Sequence, residues 1–221
     1  MQDYLKQICS ASEWDDVQMT TSLLASLVGV SPSTTSEMIR KLAALGLVTH
    51  RPYGAVELTD VGRTIALRMM RRHRLIETFL VAELGYTWDE VHDEAEILEH
   101  AISDVMLARI DAKLGHPVRD PHGDPIPAED GTVQRPNARR LSLLEPGETG
   151  VISRISDDNP EMLRYFQQLS VTLDRQVTVV RRLPFGAGTA IRLDGTSHNG
   201  TESAQVDMGD LAVQSIWVTA R

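Results

Sequence analysis

The chain has 221 residues, 42% of them hydrophobic, which is enough to build a core and fits one large domain or two to three small ones. It holds no run of about 18 apolar residues, no basic start leading into an apolar stretch and only one cysteine, Cys9, so a membrane span, a secretory leader and an internal disulfide are set aside and a cytoplasmic protein is expected. The net charge of −9 is unevenly spread: residues 73–124 carry 12 Asp/Glu against 4 Lys/Arg, whereas residues 1–72 carry 7 against 8, a balance that a domain gripping phosphates tolerates.

In chain order, residues 3–13 read as a helix with Tyr4, Leu5 and Ile8 on one side and Trp14 at its end. Thr20 or Thr21 can cap a second helix carrying Leu23, Leu24, Leu27 and Val28, and Gly29 closes it. Ser31-Pro32 then starts a third helix, with Ser as N-cap and Pro at the first helical position; it should bury Met38, Ile39, Leu42 and Leu45 and end at Gly46. Helix, glycine turn and helix make a helix-turn-helix pattern. Residues 47–59 follow as two short strands about Pro52-Tyr53-Gly54, a wing. The exposed side of the third helix offers Ser31, Ser33, Thr34, Thr35, Ser36 and Glu37, then Arg40. Arg51 stands in the wing, and all eight are candidates for contact with double-stranded DNA.

Asp60 opens a long helix running to about Ala82. A second is capped by Thr87, with Glu90 as capping-box partner, and runs to near Ala101; a third runs from Ser103-Asp104 to Gly115. Residues 116–140 hold five prolines and read as a connection. Beyond it, apolar runs at 149–155, 176–183, 189–193 and 212–218, with a helix over 160–170, suggest a small β-barrel.

The pattern that carries chemistry lies on the first two of these later helices. His73 and Glu77 are four apart and share one helix face; His92, Glu96, Glu99 and His100 share one face of the next. Neutral imidazole and carboxylate oxygen together suit manganese or ferrous iron. With the helix-turn-helix upstream, the expectation is a metal-sensing DNA-binding regulator. Residues 97–110 show more apolar surface than ligation needs (Ile97, Ile102, Val105, Met106, Leu107, Ile110), which suggests a two-fold interface.

The segments Met70–Leu80, Val91–Asp104 and Pro121–Pro127, in this order behind a winged helix-turn-helix, resemble the diphtheria toxin repressor family of iron and manganese regulators. The resemblance implies an α+β chain in three parts. Residues 1–72 would be a winged DNA-binding domain and 73–140 a helical metal-binding and dimerisation domain with its proline-rich linker. Residues 141–221 would be an SH3-like module of the FeoA type. It implies a homodimer that binds operator DNA as a repressor when loaded with metal, and a primary site of Asp3, His73, Glu96, Glu99 and His100. Carboxylates at Asp3 and Glu96, where the iron-sensing branch has methionine and cysteine, place the chain with the manganese sensors, so Mn²⁺ is the expected ion and Fe²⁺ the alternative. Lys6 stands where some manganese regulators have a second-metal glutamate. A second site would draw on Glu77, His92, Asp120, His122 and one of residues 157–159, with Asp158 favoured. Metal would offset the repulsion among these carboxylates and tie down a first helix otherwise free to shift.

Two other readings compete. An enzyme is not expected: Ile97 stands where a di-iron bundle needs Glu three before His100, and no His-Glu-x-x-His, phosphate loop or Gly-x-Ser-x-Gly is present. A winged-helix regulator sensing an organic ligand would bind DNA regardless of a chelator.

Overall fold

The computed structural model describes residues 1–15, 17–51, 54–194 and 204–220. Helices α1 (Gln2–Ala11), α2 (Thr21–Val28) and α3 (Pro32–Ala44) precede a two-stranded wing, β1 (Val48–His50) with β2 (Val56–Leu58). The wing-tip residues Pro52 and Tyr53 lie outside the described residues. The caps act as their chemistry requires. Thr20 Oγ1 accepts from the Leu23 amide, Ser31 Oγ from the Thr34 amide, and Gly29 takes the left-handed conformation at φ +70. Leu5, Ile8, Leu24, Ile39, Leu42 and Val56 share one core with Ala66 and Met70 of the long helix α4 (Asp60–Leu84). Leu45, read as core in the sequence, is 56% exposed, because α3 ends at Ala44 and Leu45 falls in the turn before Gly46.

Gly62 explains how α4 meets the wing. A Cβ there would stand 1.9 Å from the Leu47 carbonyl oxygen, so only glycine lets the helix start lie against the strand. The Thr59 hydroxyl donates to the same carbonyl and caps the helix at Gly62. Helix α4 passes through residue 72 without a break and enters both the DNA-binding core and the helical layer behind it. There it packs on α5 (Val91–Ala101) and α6 (Asp104–Lys113), with Ile76, Leu80, Val91 and Ala95 as core. Helix α5 starts one turn later than the capping-box reading. Residues 88–90 form a turn, although the Glu90 carboxylate accepts from the Thr87 amide as the box requires. Of the apolar residues expected on the outer face, Ile110 is buried, and Ile102 and Leu107 pack against this core; Ile97, Val105 and Met106 remain exposed.

The C-terminal module is a six-stranded antiparallel sheet in the order β3 (Ala138–Arg140), β8 (Ile216–Ala220), β4 (Thr149–Ile155), β5 (Gln176–Arg182), β6 (Thr189–Asp194), β7 (Ala204–Met208). With helices α7 (Pro160–Gln168) and α8 (Asp210–Gln214) it encloses one core that includes Ile152, Leu163, Phe166, Val177, Ile191 and Val218. This is the SH3-like module. The run 212–218 is half helix and half strand. Gly209 opens α8, Ala212 and Val213 turn inward while Leu211 stays 73% exposed, and the strand begins only at Ile216. Strands β3 and β7 were not expected, although Val206 and Met208 alternate with polar Gln205 and Asp207 as a half-buried strand should.

Candidate metal centre and nucleic-acid interface

Helices α1, α4 and α5 bring two groups of donor atoms together. The first lies between α1 and α5. Glu99, fully buried, His100 and Glu96 project from α5, and Asp3 meets them from α1. His100 Nε2 is 2.8 Å from Asp3 Oδ1 and 3.6 Å from Glu99 Oε1. His73 reaches the same group from α4, with Nδ1 2.7 Å from Glu99 Oε2 and 3.9 Å from Glu96 Oε1. Burial opposes a charge on Glu99, but the hydrogen bond from His73 and the charge of Lys6 hold its carboxyl below the ordinary range. The repulsion expected among these carboxylates is offset within the chain itself. Lys6, buried on α1, donates to Glu96 Oε1 at 2.5 Å and to both oxygens of Glu99 at 2.8 and 2.9 Å, and so ties α1 to α5.

The second group lies deeper, where α4 and α5 face the C-terminal module. Glu77, 1% exposed, has His73 Nε2 at 3.0 Å, His92 Nδ1 at 3.4 Å and His122 Nδ1 at 4.0 Å. Donor atoms of Glu77, Asp120 and His122 lie within 4.8 Å of one another, as do those of His73, Glu77 and His92. His73 therefore stands between the two groups, with one ring nitrogen toward each. Of the module's two adjacent aspartates, Asp157 lies nearer this group than Asp158. Asp157 Oδ2 is 3.7 Å from His92 Nδ1, while Asp158 is exposed and accepts from the Ser156 hydroxyl. Backbone direction separates the two neighbours, since β4 ends at Ile155 and one of the next residues turns inward.

Gly123 sets the position of His122. Its φ is +95, and a Cβ would stand 2.1 Å from the Ser153 carbonyl oxygen, so the loop lies directly on β4, where the Ile155 amide donates to the His122 carbonyl. The His122 ring stacks on Trp88 at 6.3 Å between centroids, and its Nε2 is 2.7 Å from the Trp88 carbonyl oxygen. The carbonyl can only accept, so Nε2 carries a proton, and in the neutral ring the lone pair lies on Nδ1; burial opposes a charge on this ring, while the charges of Asp120, Asp157 and Glu77 raise its pKa. Nδ1 is buried without a hydrogen-bond partner and faces Glu77. An orphaned imidazole nitrogen among buried carboxylates is a donor set that a divalent ion would complete, so the residues present fit a metal. Asp120 accepts the amides of His122 and Asp124 through Oδ1; burial first, then the charges of Asp124 and Glu77, push its carboxyl up to about 8. Around this group runs a buried network that the sequence did not disclose. Arg74 donates to both oxygens of Glu13 and to the Pro125 carbonyl, and lies 3.7 Å from Asp120.

On the DNA-facing side, Ser33, Thr34, Ser36, Glu37, Arg40 and Arg51 are exposed. Ser31 is exposed but serves as the N-cap of α3. Thr35 is fully buried and cannot meet a base, which corrects its place among the reading residues; in a helix, residue 35 falls on the side of Ile39 and Leu42.

A winged helix-turn-helix joined by a continuous helix to buried imidazole and carboxylate clusters defines a metal-responsive DNA-binding protein. The comparisons with known proteins agree. Residues 1–56 match the iron dependent repressor N-terminal DNA binding domain, 59–128 the metal binding and dimerisation domain of the same repressors, and 139–206 the FeoA domain. The chain is similar to a solved manganese-dependent transcriptional repressor in complex with manganese, at 55% identity over 100% of this chain and 99% of that one, with a TM-score of 0.93. It is also similar to the iron-dependent repressor IdeR of Mycobacterium tuberculosis, 34% identical over 143 residues, which are 64% of this chain and 62% of the relative. The diphtheria toxin repressor of Corynebacterium diphtheriae is 34% identical over 127 residues, 58% of this chain and 56% of the relative. The matched stretch thus spans less than two thirds of these curated relatives. The chain belongs to the diphtheria toxin repressor family of metal-dependent transcriptional repressors. It is a regulator by family, not an enzyme. Among the described residues no helix is long and apolar enough to cross a membrane.

Proposed function

We propose that this protein is a manganese-dependent transcriptional repressor, acting in the cytoplasm as a homodimer on the operators of metal-uptake genes. The observation that carries the choice of ion is the donor set. Asp3, Glu96, Glu99 and His100 at the first cluster, and Glu77, Asp120, His122 and Asp157 at the second, offer carboxylate oxygen and imidazole with no sulfur. Such hard and borderline donors suit Mn²⁺, with geometry and supply deciding against the tighter-binding metals. His73 joins the clusters, and His92 lines the second. Residues 1–72 read DNA, 73–140 hold metal and the partner chain, and 141–221 close the second cluster from outside. The reading residues are Ser33, Thr34, Ser36, Glu37 and Arg40 on α3, with Arg51 in the wing.

The ion supplies positive charge that gathers carboxylates from α1, α4, α5 and the C-terminal module. The chain's own part is to make that gathering matter for DNA. Asp3 and Lys6 sit on α1, which packs against both α2 and α4, so a shift of α1 moves the helix-turn-helix. Metal is then a ligand of the DNA-competent arrangement, and a coupling of roughly 1–3 kcal/mol would change operator affinity about 5- to 150-fold.

The test is selection of sheared genomic DNA by the purified protein with Mn²⁺ in one arm and EDTA in the other, plus an anaerobic Fe²⁺ arm. Enrichment of a few palindromic sites with Mn²⁺ alone is expected. Equal enrichment with EDTA would overturn metal dependence and favour a regulator sensing an organic ligand. Enrichment with Fe²⁺ at lower free metal than with Mn²⁺ would make it an iron repressor.

A further inference from the structure

Metal ligation alone does not account for Lys6. Its side chain is 7% exposed, and Nζ sits 2.5 Å from Glu96 Oε1 and 2.8 and 2.9 Å from the two oxygens of Glu99. A lysine ammonium is strongly hydrated and is seldom buried unless paired. Here three carboxylate oxygens take the place of its water. Both carboxylates belong to the first donor cluster, so the ammonium holds the lone pairs that an ion in that cluster would need. Asp3, one turn earlier on α1, is directed to His100 instead and is left to the ion.

We propose that Lys6 is an internal counter-cation that competes with the divalent ion for Glu96 and Glu99, and so sets how much free metal the protein needs before it responds. This inference rests on the metal-regulator reading above. Two physical consequences carry it. A full positive charge within hydrogen-bond distance of two ligands satisfies their charge in advance, and it repels a second cation brought to the same oxygens. The same residue also decides what metal does to α1. Lys6 already holds α1 to α5, so an ion does not capture a free helix. It exchanges one tie, Lys6 to the glutamates, for another, Asp3 through the ion. The switch then lies between two fastened positions of α1, and its metal threshold is the difference between two cation affinities.

The test uses the full chain with Lys6→Met, which keeps length and removes charge, and Lys6→Arg, which keeps charge. Mn²⁺ binding is measured by titration calorimetry and by the electron paramagnetic resonance signal of free Mn²⁺. Both variants are also made in a His122→Ala background, so that the second cluster does not mask the first. Lys6→Met is expected to tighten Mn²⁺ binding at the first cluster about tenfold or more, as removal of one adjacent like charge should, with Lys6→Arg staying within about threefold of wild type. Its thermal midpoint should also rise further on adding Mn²⁺ than that of wild type. Unchanged or weaker binding by folded Lys6→Met overturns the inference and makes Lys6 a structural ion pair. Should Lys6→Met not fold, Lys6→Gln takes its place under the same expectation. Failure of the wild-type chain to bind Mn²⁺ at all would overturn the metal reading itself, a result independent of how the variants compare.

Discussion

Asp120 lies buried beside Asp124 and Glu77, and its carboxyl is pushed up to about 8 by burial and by those like charges. An unfolded aspartate titrates near about 3.9. A folded value above the unfolded one means that the protonated form favours the fold. This stabilisation is complete below about pH 4 and is lost as pH rises toward 8, at up to about 1.4 kcal/mol per pH unit. His73 acts in the same direction. Burial would lower it, but the charge and hydrogen bond of Glu77 and the bond to Glu99 raise it to about 10, so its contribution fades as pH climbs from 6.5. A divalent ion reverses both effects, because it needs the carboxylate ionised and the imidazole neutral. Without added metal, the thermal midpoint should therefore fall from pH 6 to pH 8, and the rise on adding Mn²⁺ should grow over the same window. Asp120→Asn should flatten the metal-free fall in differential scanning fluorimetry; an unchanged slope would remove Asp120 as its source. At this scale the sequence disclosed residue types but not directions. The i, i+3, i+4 spacing found Glu96, Glu99 and His100 because a helix fixes which side chains share a face. No such rule operates in the loop after β4, where Asp157 turns inward and Asp158 outward, or at His73, whose two nitrogens serve different clusters.

At the level of elements, α1 is held at both ends by groups that surround the metal clusters. Asp3 and Lys6 hold its start on α5. Past its end, Glu13 is held by Arg74, and the Trp14 indole donates to Asp124 at 2.5 Å. Arg154 of β4 lies against the rings of Trp14 and Trp217, 4.9 and 4.2 Å from their centroids, and donates to Asp124 at 2.7 Å. Arg140 of β3 stacks on Trp217 and pairs with Asp15. The C-terminal module thus clamps the chain just past the far end of the helix whose near end carries Asp3 and Lys6. Arg154→Met leaves Asp124 buried without its first partner. The expected loss is about 3 kcal/mol, the lower end for a broken buried pair, because Arg74 remains 3.8 Å from Asp124. Adding Asp124→Asn should recover part of it in urea denaturation. A loss under about 1 kcal/mol would show that the cation–carboxylate pair is not what fastens the module. Short-range signals made most elements legible in the sequence: Ser31-Pro32 at the start of α3, Gly29 after α2, and Asp60 at the start of α4. The clamp was not legible, since Trp14, Asp124, Arg154 and Trp217 are far apart in the chain and belong to no common period. The first half of the strand expected over 212–218 is helix for a related reason. Leu211-Ala212-Val213 is as apolar as a buried strand, and only packing of Ala212 and Val213 against the module's core shows it to be one turn of helix.

For the whole molecule, the proposed function requires that metal inside one chain alter the spacing between two recognition helices. Helix α5 offers a direct route. Glu96, Glu99 and His100 face α1 and α4, whereas Ile97 points away and is 68% exposed. Val105 and Met106 of α6 are 67% and 48% exposed. Three large apolar side chains open to solvent on adjacent helices are costly in a lone monomer and suit an isologous interface, and they fall within residues 59–128, which match a metal binding and dimerisation domain. In the proposed function one face of α5 would bind the ion while the other would meet the partner. On that reading the tie between α1 and α5 would set the distance from the two-fold axis to α3, which a palindromic operator would read as half-site spacing. Val105→Glu with Met106→Glu buries two like charges in that face of each chain, and symmetry doubles the penalty. In light scattering after size exclusion, the expected mass falls from twice 24.5 kDa to 24.5 kDa. Mn²⁺ binding per chain should persist, since none of the ligands lies on this face, while Mn²⁺-dependent operator binding is lost at the same protein concentration. A double variant that remains dimeric and still binds its operator would place the two-fold axis elsewhere and cut the link between α5 and recognition-helix spacing. Loss of Mn²⁺ binding together with dimerisation would instead mean that the partner chain orders the donor clusters.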